Sequence, residues 1–311
     1  MLDHLPELLG ETPYALLTTP RAKLMAPDVS AAAASVHHVP AGLVDAVSES
    51  LRGQVAERAI VALGGGRVID TAKALAAAAG PPSYVVAIPT TLSGAEMTAI
   101  HRLPAGAPAG TRRVRPRIVL NDPALSASQA DPDLTASALN ALGHCAEAPL
   151  TPRANPVATL AALEGAGHIV AALDRDGGPE RGRLALGALL AGYAIDSSGY
   201  GLHHVLSQTL VRFAGLGHGP ANAVMLPHTL RALAQRFPAD ITRLGQAMGG
   251  HPAIIAARLA ERAGAASLRA LGVDSGQLMD LTVRAAERTE LALTPPPADT
   301  QEIWALYETA L

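Results

Sequence analysis

Ala59-Ile60-Val61-Ala62-Leu63-Gly64-Gly65-Gly66-Arg67-Val68-Ile69-Asp70-Thr71-Ala72-Lys73 is the stretch on which the fold turns. Residues 59–63 read as a buried strand that runs directly into three glycines. A helix is expected from about Val68 to Ala79. Strand, glycine turn and helix together open a βαβ unit. Glycine lets the backbone take positive φ and come close to a ligand. A helix N-terminus offers N–H groups and partial positive charge to a phosphate. Gly64, Gly65 and Gly66 are therefore candidates to hold a pyrophosphate, with Asp70 and Lys73 beside them. The spacing is neither G-x-G-x-x-G nor a Walker loop. A triple glycine also serves as a plain tight turn, and Asp70 with Lys73 also reads as a solvated helix pair.

The same alternation extends on both sides. Ala15–Thr19, stopped by Pro20, reads as a strand, and Val36–Pro40 as a second. A helix over roughly 41–56 carries Leu43, Val44, Val47 and Leu51 at helical spacing. Tyr84–Ile88 is a further strand, stopped by Pro89, and Arg117–Leu120 is the last. A second hydroxyl-rich turn follows Ile88, as Pro89-Thr90-Thr91-Leu92-Ser93-Gly94-Ala95-Glu96. Thr90, Thr91 and Ser93 can bond phosphate or ribose oxygens, or Ser93 and Glu96 can form a capping box. Two such loops at the carboxyl ends of neighbouring strands lie where ligands bind open α/β sheets. After Asp133 the pattern becomes Ala/Leu-rich helix to the end, punctuated near 152–156, 177–179, 215–219, 251–252 and 294–297. The fold class is therefore α/β plus all-α. A Rossmann-like dinucleotide-binding domain is expected over 1–130 and a helical-bundle domain over 131–311.

Composition narrows the function. The chain has 311 residues, 49% hydrophobic and 16% charged, enough to fill a sizeable core. A net charge of −3 argues against a nucleic-acid or anionic-membrane surface. The lone Cys145 excludes an internal disulfide framework. The segment MLDHLPELLGETPY lacks the pattern of a signal peptide, and no apolar run is expected to span a membrane. A cytoplasmic protein with a small-molecule substrate is the expectation.

The helical half carries the chemistry. Asn140 and His144, four residues apart, share a helix face, and His204 and His218 follow downstream. An acid with three imidazoles would suit Zn²⁺ or Fe²⁺. Here the oxygen donor is the neutral amide of Asn140. The same imidazoles could instead donate to a substrate oxyanion or shuttle a proton, so His144, His204 and His218 are the catalytic candidates on either reading. His4, His37, His38, His101, His168 and His251 lack a comparable context and read as structural or surface residues.

GGGRVIDTAK, PTTLSGAEMT, NALGHCAEA, GLHHVLSQTL and GHGPANAVMLPH, in that order, resemble the iron-containing alcohol dehydrogenase family over about residues 15–230. Asn140 and the Gly201-Leu202-His203-His204 motif are most similar to its maleylacetate reductase branch. The resemblance implies a dehydroquinate synthase-like fold, with the active site in the cleft between the two domains. It implies NAD(P)H as hydride donor, hydride transfer to a carbonyl or activated C=C, and a homodimer. It carries the family's divalent metal positions, for Fe or Zn, onto Asn140, His144, His204 and His218. The chain departs from the family at Gln208, where the dehydrogenases usually carry a proton-passing histidine. It departs again in the short segment 101–117 and at the N-terminus, which is expected to begin at the first strand.

The first strand ends in Thr18-Thr19-Pro20-Arg21-Ala22-Lys23, so Thr18 and Thr19 join the cofactor candidates. With no acid there to bond the ribose hydroxyls and two cations nearby, NADPH is expected to be accepted. Arg102, Arg112, Arg113 and Arg212 are available for a substrate carboxylate. The competing expectations are a metal-dependent alcohol dehydrogenase, a lyase or cyclase like dehydroquinate synthase that uses NAD transiently, and a non-catalytic relative.

Overall fold

The computed structural model describes residues 2–175 and 177–311. Contacts divide the chain into two compact units, the first ending at Ser128 and the second spanning Gln129–Leu311. In the first unit the elements are α1 (Leu5–Leu9), β1 (Tyr14–Thr18), α2 (Pro20–Met25), α3 (Pro27–Ala31), β2 (Ser35–His38) and α4 (Val44–Leu51). These are followed by β3 (Ala59–Gly64), α5 (Gly66–Ala79), β4 (Tyr84–Pro89) and β5 (Ile118–Val119). The sheet is parallel throughout, in the order β2-β1-β3-β4-β5.

Both faces of this sheet are covered, which is why its strands are apolar without alternation. Successive side chains still point to opposite faces. Leu16, Val61 and Val86 pack on one side with Ala22 of α2 and Val29 of α3. Leu17, Ile60, Ala62 and Val85 pack on the other with Val47 and Leu51 of α4 and Val68, Ile69 and Ala72 of α5.

The sequence reading needs correction at its prolines. Pro20 does stop β1, but it also opens α2, and Pro27 opens α3. Proline suits the first helical position, where its missing N–H is not needed and its φ is already helical. The helix expected over 41–56 contracts to Val44–Leu51. A short helix, α1, precedes the first strand.

Lys73 is also misjudged as half of a solvated pair. It does pair with Asp70 at 2.7 Å, but its side chain is wholly buried. Its ammonium reaches the carbonyl oxygens of Ala95 (2.9 Å), Thr98 (3.0 Å) and Ile100 (3.2 Å) and the Thr98 hydroxyl (3.2 Å). Lys73 is therefore an internal strut that fixes the loop after β4, and its donors are not available to a phosphate.

The second unit is helical, with no strand among the described residues. It comprises α6 (Asp131–Glu147), α7 (Pro156–Leu173), α8 (Arg181–Ser198), α9 (Leu202–Phe213) and α10 (His218–Arg236). It continues with α11 (Pro238–Met248), α12 (Pro252–Arg262), α13 (Leu278–Ala286) and α14 (Thr300–Ala310). α7 is long and apolar enough to cross a membrane by length and composition, contrary to expectation. Ala158, Ala162, Ala166 and Ile169 along it are wholly buried. Its backbone meets α8 closely, since a Cβ on Gly187 would lie 3.0 Å from the Gly165 carbonyl oxygen and 2.7 Å from Ile169. That is the environment of a core helix.

Replacing Lys73 by Met should strand three carbonyls and a carboxylate in the interior. A loss of about 3–5 kcal/mol in urea-induced unfolding is expected, with the midpoint shifted and the slope unchanged.

Candidate functional site

The first patch lies at the carboxyl ends of the strands. The order β2-β1-β3-β4-β5 reverses direction between β1 and β3, and such a switch point is where open α/β sheets bind ligands. β1 ends at Thr18 and β3 at Gly64. Gly65 caps α5 with an extended backbone and Gly66 is its first residue. The first N–H groups of a helix have no intrahelical acceptor, so this end of α5 can receive an anion.

The structure draws the second loop against these glycines. Thr90 N–H donates to the Gly64 carbonyl at 3.0 Å. A Cβ on Gly65 would lie 2.8 Å from the Thr91 side chain, and one on Gly66 would lie 3.0 Å from that of Ser93. The glycines are thus needed for this close approach of two loops, whatever they bind. Gly65, Gly66, Thr91 and Ser93 form a partly exposed group, while Thr18 and Thr90 are buried. Thr18 donates its hydroxyl to the Thr19 carbonyl, and Thr19 caps α2 by accepting from Ala22 N–H. Asp70 is partly exposed beside the buried Lys73.

The capping box expected of Ser93 and Glu96 does not form. Ser93 accepts from Ala95 N–H, while Glu96 turns inward and is 1% exposed. Burial pushes its carboxyl up to about 7, with nearby Lys73 pulling the other way. His101 is likewise a buried loop brace: its Nε2 accepts from Val114 N–H at 3.0 Å, and Arg113 Nε donates to its carbonyl at 2.8 Å. Arg102 and Arg112 are exposed on this loop, and Arg212 on α9.

The second patch is built by α6, α9 and α10. Asn140, His144 and Glu147 follow one another along α6, His203 and His204 open α9, and His218 opens α10. Two glycines bring these helices together. A Cβ on Gly143 would strike His203 at 2.6 Å and His204 at 3.2 Å, and one on Gly219 would reach Ala136 at 3.1 Å. The His144 and His204 rings stack at 4.7 Å between centroids, and His203 meets His204 edge-on at 4.9 Å. His218 Nε2 lies 3.1 Å from the Asn140 amide oxygen, which makes the ring nitrogen the donor. Of the four residues proposed from spacing, Asn140 meets His218 and His144 meets His204.

Burial and mutual repulsion keep His144, His203 and His204 neutral. His204 and His203 are each lowered to about 3, and His144 well below the usual histidine range. Desolvation is the largest cause in each, followed by the neighbouring rings. His144 Nδ1 and His204 Nε2 are buried without a protein partner, which marks a place for a further group.

The donor set is a weak one for a divalent cation, because its oxygen donor is the neutral amide of Asn140 rather than a carboxylate. No three His, Cys, Asp or Glu side chains among the described residues converge as a metal-binding group.

Four residues that sequence reasoning missed complete the patch. Glu147 lies 2.6 Å from His204 Nδ1. Arg288 donates to Gln208 at 3.0 Å and to Glu290 at 2.8 Å, and Tyr200 bonds both Gln208 (3.3 Å) and Glu290 (3.2 Å). Arg288 holds the Glu290 carboxyl down to about 2. Gln208 is thus clamped where a proton-passing histidine was expected, and the Tyr200 ring sits 5.8 Å from that of His204. Glu147 could have been found from its place one turn beyond His144 on the Asn140 face. Arg288 and Glu290 had no local signal.

Residues 20–123 match the family model for iron-containing alcohol dehydrogenase, and residues 134–311 the C-terminal model of the Fe-containing alcohol dehydrogenase family. Maleylacetate reductase 1 of Rhodococcus opacus is 34% identical over 83% of this chain and 75% of its own. Maleylacetate reductase of a Rhizobium strain is 32% identical over 88% of this chain and 79% of its own. The solved maleylacetate reductase of Agrobacterium tumefaciens superposes with a TM-score of 0.83 at 28% identity, covering 100% of this chain and 92% of that one. An iron-containing alcohol dehydrogenase of Corynebacterium glutamicum superposes at 0.86 with 27% identity, covering 100% and 91%. The chain belongs to the iron-containing alcohol dehydrogenase family and is an NAD(P)-dependent oxidoreductase.

Proposed function

We propose that this enzyme reduces maleylacetate, or a similar small unsaturated oxo acid, with NAD(P)H and without a catalytic metal. The observation that carries the metal-free reading is the neutral patch itself, with Asn140 where the dehydrogenases of this family hold an anionic metal ligand. The substrate class comes from the maleylacetate reductases this chain resembles at 30–37% identity.

The nicotinamide, when bound, would supply hydride to a substrate carbon, and negative charge would grow on the substrate oxygen. An aspartate at 140 would repel that oxygen unless a cation stood between them; the Asn140 amide does not. His144, with Nδ1 buried and unpartnered, is proposed as the donor to the developing oxyanion. His204, with Nδ1 engaged by Glu147, is proposed to take up a proton from solvent at Nε2 and pass it to the reduced substrate. His218 holds the amide of Asn140 in place. The cofactor pyrophosphate is assigned to Gly65 and Gly66 at the start of α5, with Thr91 and Ser93 alongside and Gly64, Thr19 and Asp70 behind. The working form is proposed to be a cytoplasmic homodimer. Val157 and Leu160 on α7 and Leu186 on α8 are exposed apolar side chains that a second copy would cover.

Purified enzyme should oxidise NAD(P)H stoichiometrically with maleylacetate. It should oxidise simple primary alcohols with NAD(P)⁺ at least roughly 100-fold less efficiently, a gap of about 2.7 kcal/mol in transition-state stabilisation. Equal efficiency with the alcohols, followed by the absorbance of the reduced nicotinamide, would reject the assignment. Arg21 and Lys23 on α2 follow β1 with no acid beside them. NADPH should therefore support turnover at least as well as NADH, and strict dependence on NADH in the same assay would contradict that.

A further inference from the structure

We propose that Glu147 is a positioning residue that fixes the tautomer and the direction of the His204 ring, so that Nε2 is presented as an unprotonated acceptor. The inference rests on geometry. Glu147 is 1% exposed near the end of α6, and every partner it has is an N–H group at the start of α9. One oxygen accepts from the backbone N–H groups of Gly201 (3.2 Å) and His203 (2.7 Å). The other lies 3.3 Å from His204 N–H and 2.6 Å from His204 Nδ1. A backbone N–H can only donate, so both oxygens are acceptors for the helix. The short contact to Nδ1 then fits a charge-assisted bond in which the imidazole donates.

Two consequences follow. The first turn of α9, which has no intrahelical acceptors for its N–H groups, is capped by a carboxylate from another helix. Thr294 completes the cap by accepting from Leu202 N–H at 3.0 Å. The same carboxylate holds both the backbone and the ring of His204, so the ring cannot swing without giving up its bond to a group the helix fixes in place. With the proton on Nδ1, the lone pair of Nε2 is left buried without a protein partner. A water that brings in the proton consumed by the reduction is the kind of group that satisfies it.

A purely structural cap and a positioning residue make different forecasts for Glu147→Gln. The glutamine oxygen must stay on Gly201 and His203 N–H, because its NH₂ there would face two donors. Its NH₂ is then forced onto His204 Nδ1 and drives the ring proton to Nε2. The cap largely survives while the tautomer reverses.

The test is ¹⁵N–¹H multiple-bond NMR of protein labelled in its histidines, with the His204 signals assigned from His204→Gln. The wild type should show His204 protonated at Nδ1, and Glu147→Gln should show it protonated at Nε2. In the variant kcat should fall roughly 10- to 100-fold, as for loss of a group that orients a functional histidine, with KM for NADPH unchanged. Wild-type His204 protonated at Nε2 would overturn the proposal even if the variant failed to fold. A reversed tautomer with unchanged kcat, or a fall in kcat with the tautomer kept, would overturn it as well. The role in turnover rests on the reductase reading above. The tautomer is measured without substrate, so failure of that reading and failure of this one are distinguishable.

Discussion

A buried carboxylate joined to the opening turn of another helix governs the second half of this protein. Glu147 supplies the acceptors that α9 lacks at its start, and so brings His203 and His204 against α6. The approach is possible only because Gly143 has no side chain at the contact. A helix end buried without acceptors is costly, and an ionised carboxylate buried without donors is costlier. Each therefore requires the other, and that mutual need holds the imidazoles in place.

The crowding of the rings has a chemical result. Imidazoles stacked at 4.7 Å and crossed at 4.9 Å in a buried site cannot carry charge together. They stay neutral, the state in which an imidazole can donate from one nitrogen and accept at the other. Asn140 continues the same logic, because an amide adds polarity to the patch without adding charge. Where dehydrogenases of this family place an acid, this chain has the uncharged amide of Asn140. The network of Arg288, Glu290, Tyr200 and Gln208 beside it is charged but internally compensated.

Much of this was legible in the sequence, for identifiable reasons. The parallel sheet announced itself because strands covered on both faces are continuously apolar, as in Ala59–Leu63. The histidine patch was legible because Asn140 and His144 share a helix face and the remaining motifs follow in a specific order. The helices α2 and α3 were not, because proline reads as a terminator although it also starts helices. Lys73 looked like a surface charge because sequence spacing cannot show that three carbonyls of a distant loop converge on it. Arg288 and Glu290 lie some 80 residues beyond Gln208 in sequence, as Arg288 bonding Gln208 shows, and tertiary packing alone joins them. Gly65 and Gly66 were read as a phosphate turn; the structure adds that Thr91 and Ser93 press on them, a packing reason for the same residues.

The central claim is that a neutral histidine patch, not a bound cation, activates the substrate of this reductase. Its most direct test is turnover of enzyme stripped by exhaustive chelation, with metal content measured on the same sample. The account predicts that most of the NAD(P)H-dependent reduction of maleylacetate remains at a metal content far below one ion per chain. Complete loss of activity, restored by adding Fe²⁺ or Zn²⁺, would contradict it.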